Sequence, residues 1–423
     1  MEKCATDSFK TLIGLVAAGA KGVPYIGDVN VGDEVIRLAH EHSVQSLLGC
    51  ALLTTPELNC PEQAKTQFVG YMRSCSSTNL IRKQRILMLV REIEQLGVAV
   101  QILKGYAVAD CYAYPETRNS ADTDLLVDKT DEATVCEFLE LKGFVVERRN
   151  RTSHHTVCRH KKYGMVEIHV DLFDEIVNDA WFQGVATVLL EEKKVCVETA
   201  DGRFDALGYT DHLLFMVLHM VKHFISHGLS LNMMLDIALY CEKYRAYINN
   251  DRLWLLLSEL GYATLLATIF RILIEYGNFS VEVFPGVTDV TDQHVEMILA
   301  DLEKGGRMGQ KEAEARREAS YLYNKQLLLS RKGWGFYSTY MLKWRLRRVL
   351  SSIMSVGEYT ASEKPQLRKT KFHKLFVLLM LSVKNSCVKF VKHMKRKHQQ
   401  STTEDNKILI EQRLELFRNM DML

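Results

Sequence analysis

Apolar residues recur at three- and four-residue spacing through residues 1–95, the period of helices that bury one face. VIRLAHEHSVQSLLGCALL and NLIRKQRILMLVREIEQLG carry it most clearly, and Gly97 stands where a glycine closes a helix. Near the start, LIGLVAAGA predicts a helix capped around Asp7 and Ser8. A leader peptide fits less well, because Glu2 and Asp7 leave the front of the run barely basic.

After Gly97 the period changes. VAVQILKG is a short β-rich run ending at Gly105, and YAVADCYAY predicts a helix that stops before Pro115. DTDLLV predicts a strand, and DEATVCEFLELKG a helix capped by Thr130 or Asp131. FVVERR, HTVCRH and MVEIHVDLF predict three further strands. Such alternation fits a small α/β or α+β core of about a hundred residues. From Tyr209 onward the helical period returns in DHLLFMVLHMVKHFI, LNMMLDIALYCEKY and DRLWLLLSELGYATLLATIFRILIEYG. The expected organisation is an N-terminal helical region (1–95), the core (96–205), a helical domain (206–330) and a basic amphipathic helical end (331–423).

A chain of 423 residues can build two or three domains. At 47% hydrophobic and 25% charged it is neither disordered nor fibrous. Its ten cysteines form no CxxC pair, which points to reduced thiols in a cytoplasmic setting. LFVLLMLSV, from Leu375, is about half of a membrane span.

The net charge of +2 hides an asymmetry. Residues 331–400 hold 17 Lys and Arg against Glu358 and Glu363, which leaves −13 on the rest. Apolar and cationic residues interleave there at helical spacing. Three partners fit: an anionic membrane surface, nucleic acid, or the protein's own surface under snorkelling lysines. Packing on the protein itself or a protein partner ranks first and membrane above nucleic acid; a membrane partner would place a cytoplasmic protein at the inner face of the membrane.

Candidate chemistry begins at Asp122 and Asp124. On a strand, residues i and i+2 share a face roughly 7 Å apart, a spacing from which two carboxylates can converge on divalent ions for phosphoryl transfer. A solvated strand end is the plainer alternative. Lys104 and Gly105 form a strand-to-helix turn where backbone amides and one cation could meet a phosphate, or which simply connects two elements. Glu167 and His169, again at i and i+2, offer a third carboxylate and a group to bind phosphate or orient an acid. His219 and His223 lie on one helical face. His154 and His155, adjacent on a strand, should face opposite ways, and no zinc-ligand spacing is present.

Lys104-Gly105, Tyr114, Arg118, Asp122-x-Asp124-Leu-Leu-Val and EIHVDL at Glu167–Leu172, in this order and spacing, resemble the uncharacterised nucleotidyltransferase family of the polymerase-beta-like superfamily. The resemblance runs over roughly residues 35–245, through DHLLFMVLHMVKHF and LNMMLDIAL. It implies an α+β fold, in which a small mixed-sheet core is flanked by N-terminal helices and a large C-terminal helical region. It also implies that Asp122, Asp124 and Glu167 bind Mg²⁺, with Mn²⁺ as the alternative, and carry catalysis. Lys104, Gly105, Arg118 and His169 would then bind the phosphates of an NTP such as ATP, while His219, His223 and Asp236 would contact nucleotide or acceptor. Ala121 stands where the family usually has Gly or Ser, and Thr123 where it has an aliphatic residue; neither change removes a ligand.

The implied activity is transfer of a nucleoside monophosphate to an unidentified acceptor, a sugar or polysaccharide precursor among the candidates, with release of pyrophosphate. Two other classes compete. One is a glycosyltransferase whose DxD chelates a sugar nucleotide, although the helical region before the DxD argues against it. The other is a non-catalytic adaptor at a membrane surface.

Overall fold

The computed structural model describes residues 5–120, 122–148, 153–174, 177, 181–182, 185, 189, 192–284, 286, 290–330 and 404–423. The chain falls into two compact units, Met1–Ser320 with Arg413–Leu423, and Tyr321–Gln412. In the second unit the described residues, 321–330 and 404–412, are helical. The basic stretch 331–400, on which the membrane, nucleic-acid and packing readings turn, lies outside the described residues.

The first unit opens with four helices, α1 (Asp7–Lys21), α2 (Asp33–Glu41), α3 (Gln45–Thr54) and α4 (Glu62–Glu94). The cap of α1 is Thr6, one residue ahead of the predicted pair; its hydroxyl accepts from the Phe9 amide at 3.2 Å. The core follows as β1 (Gln101–Ile102), α5 (Tyr106–Ala109), β2 (Asp122–Leu126), α6 (Glu132–Leu141), β3 (Val145–Glu147), β4 (His155–His160), β5 (Gly164–His169), β6 (Val195–Thr199) and β7 (Gly202–Ala206). Helices α7 (Tyr209–Ser226), α8 (Leu231–Tyr244), α9 (Asn250–Leu260), α10 (Ala263–Glu275) and α11 (Asp292–Gly305) follow.

The architecture is α+β, a mixed sheet flanked by helices. Its seven strands run in the order β3-β4-β5-β2-β1-β7-β6. The central pair β2 and β5 is parallel, while β4 and β1 join their outer sides antiparallel. Five of these strands follow from periodicity. The hairpin β6–β7 does not, because β6 alternates half-buried and exposed positions and carries little apolar signal. Asp201-Gly202 at its turn, with Gly202 at φ 141°, is the local sign that marks it.

One face of the sheet is apolar. Val100, Ile102, Leu125, Val166 and Ile168 pack with Ile86, Leu89 and Ile93 of α4 and with Val135 and Leu139 of α6. Period-2 alternation then sends Asp122 and Asp124 to the other face, where His212 of α7 donates to the Leu103 carbonyl. The segment Asp251–Gly277, helical by period throughout, breaks at Gly261. That glycine takes a left-handed φ of 78°, and its amide bonds back to Leu257 and Ser258 to end α9.

Candidate active site

The register of β2 and β5 builds the site. Asp122 stands opposite Met165, Asp124 opposite Glu167 and Leu126 opposite His169. Both acids of the DxD and the Glu-x-His pair therefore rise from neighbouring strands on one face. Asp124 is fully buried, whereas Asp122 at the strand's start and Glu167 are half-buried.

Lys104 enters this cluster from the loop after β1. Its Nζ lies 3.3 Å from Asp124 Oδ1 and 3.4 Å from Asp122 Oδ2. His169 Nε2 lies 3.0 Å from the same Asp124 oxygen and 3.5 Å from Glu167 Oε2. These contacts set the charges. Burial works against an ionised Asp124, but the Lys104 ammonium and the His169 hydrogen bond overcome it and hold the carboxyl well below its usual range. Burial also works against charge on His169, and the bonds to Asp124 and Glu167 reverse that and raise it. Lys104 is raised for the same reason: three carboxylates outweigh its burial. Asp122 goes the other way, pushed up by burial and by the charge of Asp124.

Helix α7 closes the face. His219 Nε2 lies 3.3 Å from Lys104 Nζ, and His223 Nε2 lies 3.3 Å from His219 Nε2. Burial, with Lys104 adding to it, drives His219 well below the ordinary imidazole range, and His223 is pushed down to about 3 by burial and the same ammonium. Both rings are therefore neutral, and His219 can accept from Lys104.

Arg118 and Asp236 meet each other. The guanidinium donates through Nε and Nη2 to the two Asp236 oxygens, each at 2.7 Å, and the Tyr112 hydroxyl donates to Asp236 at 2.7 Å. Sequence reasoning assigns Arg118 to phosphate; here a carboxylate from α8 fills its fork, although its charge still reaches Asp122. Gly105 has φ 67° and ψ −105°, a conformation side chains rarely adopt, and a Cβ there would meet Ser120 Oγ at 3.3 Å.

Residues that sequence reasoning sets apart or misses also converge. His154 and His155 bring their rings to a centroid distance of 4.5 Å, and each lies 5.1 Å from His169. The alternation rule fails at His154, one residue before β4, because Asp174 Oδ1 at 2.8 Å from Nδ1 turns its ring. Lys222 joins the site's field through Asp174, Glu167 and Asp124. Its position three residues after His219 on α7 is the signal that could have found it.

A divalent ion fits this donor set. Ligand atoms of Asp124, Glu167 and His169 lie within 4.8 Å of one another, and Asp124 Oδ2 is buried without a hydrogen-bond partner among the described residues. Such an orphaned oxygen costs free energy unless something takes it up. Among the described residues no helix is long and apolar enough to cross a membrane.

Comparison with known proteins places the chain. Residues 32–277, more than half of it, match the family model described as uncharacterised nucleotidyltransferase. No curated protein matches the chain. Among solved structures it is similar to the solution structure of the antibiotic-resistance factor ANT(2'')-Ia, at 10% identity and a TM-score of 0.29, with 46% of this chain and 97% of that chain covered.

Proposed function

The chain belongs to the uncharacterised nucleotidyltransferase family, and from that premise we propose that it moves a nucleoside monophosphate from an NTP to an acceptor hydroxyl, releasing pyrophosphate. The observation that carries this reading is the opposition of Asp124 and Glu167 across β2 and β5, with His169 and Lys104 bonded into the same cluster. We assign the core to residues 96–205 and the walls of the site to the helices on either side.

Asp124 and Glu167, with Asp122 at the rim, would hold Mg²⁺ or Mn²⁺. When bound, the ion supplies Lewis acidity at a phosphoryl oxygen. His169 keeps the Asp124 carboxylate ionised and oriented through its 3.0 Å contact. Lys104, held by two carboxylates in the free protein, turns its ammonium to the triphosphate when nucleotide enters. Gly105 lets the backbone come close, and Arg118 reaches a phosphate only by leaving Asp236. The acceptor oxygen attacks the α-phosphorus, and the α–β bridging oxygen departs with its electron pair as pyrophosphate. The hydroxyl proton goes to Glu167, because Asp124 is wholly enclosed.

The test is incubation with each α-labelled NTP, Mg²⁺ and cell extract. Label should pass to an acceptor with pyrophosphate release, and Asp124→Asn should abolish both. Neither product with any NTP would refute the reading, and release of nucleoside diphosphate from sugar nucleotides supplied in place of the NTP would mark a glycosyltransferase instead. For residues 331–400 we propose an anionic membrane as partner, checked by salt-dependent binding to anionic vesicles.

A further inference from the structure

We propose that His154, His155 and His169 form a second metal site, built of imidazole nitrogen and suited to a borderline ion of the Zn²⁺ class. Ligand atoms of the three rings lie within 4.8 Å of one another. They stand together at the open end of the β4–β5 hairpin: His155 faces His169 in the antiparallel register, and the Val170 amide bonds the His154 carbonyl at 3.0 Å. The backbone thus brings the three residues together before any ion binds.

The tautomers follow from the partners. His154 Nδ1 lies 2.8 Å from Asp174 Oδ1, which also accepts from the His154 amide at 3.2 Å. A carboxylate accepts only, so Nδ1 carries the proton and Nε2 keeps its lone pair. A carboxylate behind a histidine is the arrangement that orients metal-ligating imidazoles. His154 Nε2 faces His155 Nδ1 at 3.3 Å. Two nitrogens each about 2.05 Å from a tetrahedral ion stand about 3.4 Å apart, so that edge already matches. His169 supplies the independent sign: it is almost wholly buried, and its Nδ1 has no hydrogen-bond partner among the described residues.

Donor chemistry distinguishes this site from the carboxylate cluster with which it shares His169. Mg²⁺ prefers oxygen and retains water, whereas imidazole favours zinc, copper, nickel and iron. Glu167 Oε2 lies beside the other ring nitrogen, 3.8 Å from His155 Nε2, so the fourth position falls to water. The inference does not depend on the transfer reaction, and its test reads metal binding alone.

The experiment uses the full chain, stripped with chelator and dialysed against Zn²⁺ in excess Mg²⁺, with Co²⁺ as optical probe. The expected result is about one Zn²⁺ retained per chain and Co²⁺ bands of nitrogen and oxygen ligation. His155→Gln, a swap at a half-buried position, should weaken retention at least tenfold, and Asp174→Asn, which frees His154, about tenfold. Asp122→Asn should retain the ion. Metal-free melting curves establish that each variant folds; if His155→Gln does not, Asp174→Asn carries the comparison. No retention, thiolate-to-cobalt charge transfer, or retention unchanged in the folded variants would overturn the proposal.

Discussion

Asp124 and Glu167 stand directly opposite each other on adjacent parallel strands, and His169 touches both. Their environments differ. Asp124 is sealed beneath Lys104 and His169, while Glu167 keeps some exposure. The enclosed acid therefore anchors charge, and the open one faces whatever enters.

This asymmetry extends to Asp122. Burial and the neighbouring Asp124 charge disfavour its ionised form, so Asp122→Asn should leave the midpoint of denaturation unchanged or raise it. Asp124→Asn removes the buried carboxylate that both Lys104 and His169 contact and should cost about 3 kcal/mol. Both variants should lose turnover. Equal stability changes in denaturant titrations would sink the distinction.

Lys104 sits where a cation is wanted. Lys104→Met removes a positive charge from among three carboxylates, so Mn²⁺ affinity of the nucleotide-free protein should rise about tenfold, equivalent to ~1.4 kcal/mol. Without the ammonium to meet the triphosphate, turnover should fall about a hundredfold. Calorimetric Mn²⁺ titration and steady-state rates check the two halves. Metal affinity that falls with turnover would place Lys104 in a supporting role only.

His42 predicts an acid transition away from the site. Its ring is buried against Phe9, with centroids 5.0 Å apart, and neither nitrogen has a hydrogen-bond partner among the described residues. Burial pushes it down to about 4, with Lys311 and Arg37 reinforcing and Glu41 opposing. The unfolded chain takes up this proton near pH 6.5 and the folded chain only near pH 4, so acid favours unfolding across that window and has no effect above it. The contribution lost by pH 4 is about 3 kcal/mol. His42→Phe should flatten the fall in melting temperature between pH 6.5 and 4. His212, which burial also pushes down to about 4, retains its own share.

What the sequence determined by itself is local. Side-chain alternation on a strand and the 3.6-residue turn of a helix come from backbone sterics, so Asp122 with Asp124, Glu167 with His169, and His219 with His223 could each be placed on a common face before any partner was known. Gly105 could be read the same way, because a turn that places φ at 67° excludes ordinary side chains. Which faces meet was decided by the tertiary structure. Opposition of Asp124 to Glu167 depends on β2 and β5 pairing in one register, which strand pattern alone does not specify. Arg118 took Asp236 instead of open solvent because α8 packs where its guanidinium emerges, a contact across 118 positions that no local period encodes. His154 escaped the alternation rule for a related reason: it lies one residue before its strand, where Asp174 rather than the pleat fixes its ring. Periodicity is a property of neighbouring residues along the backbone, whereas a site assembled from four separate segments exists only once long-range packing has chosen their partners.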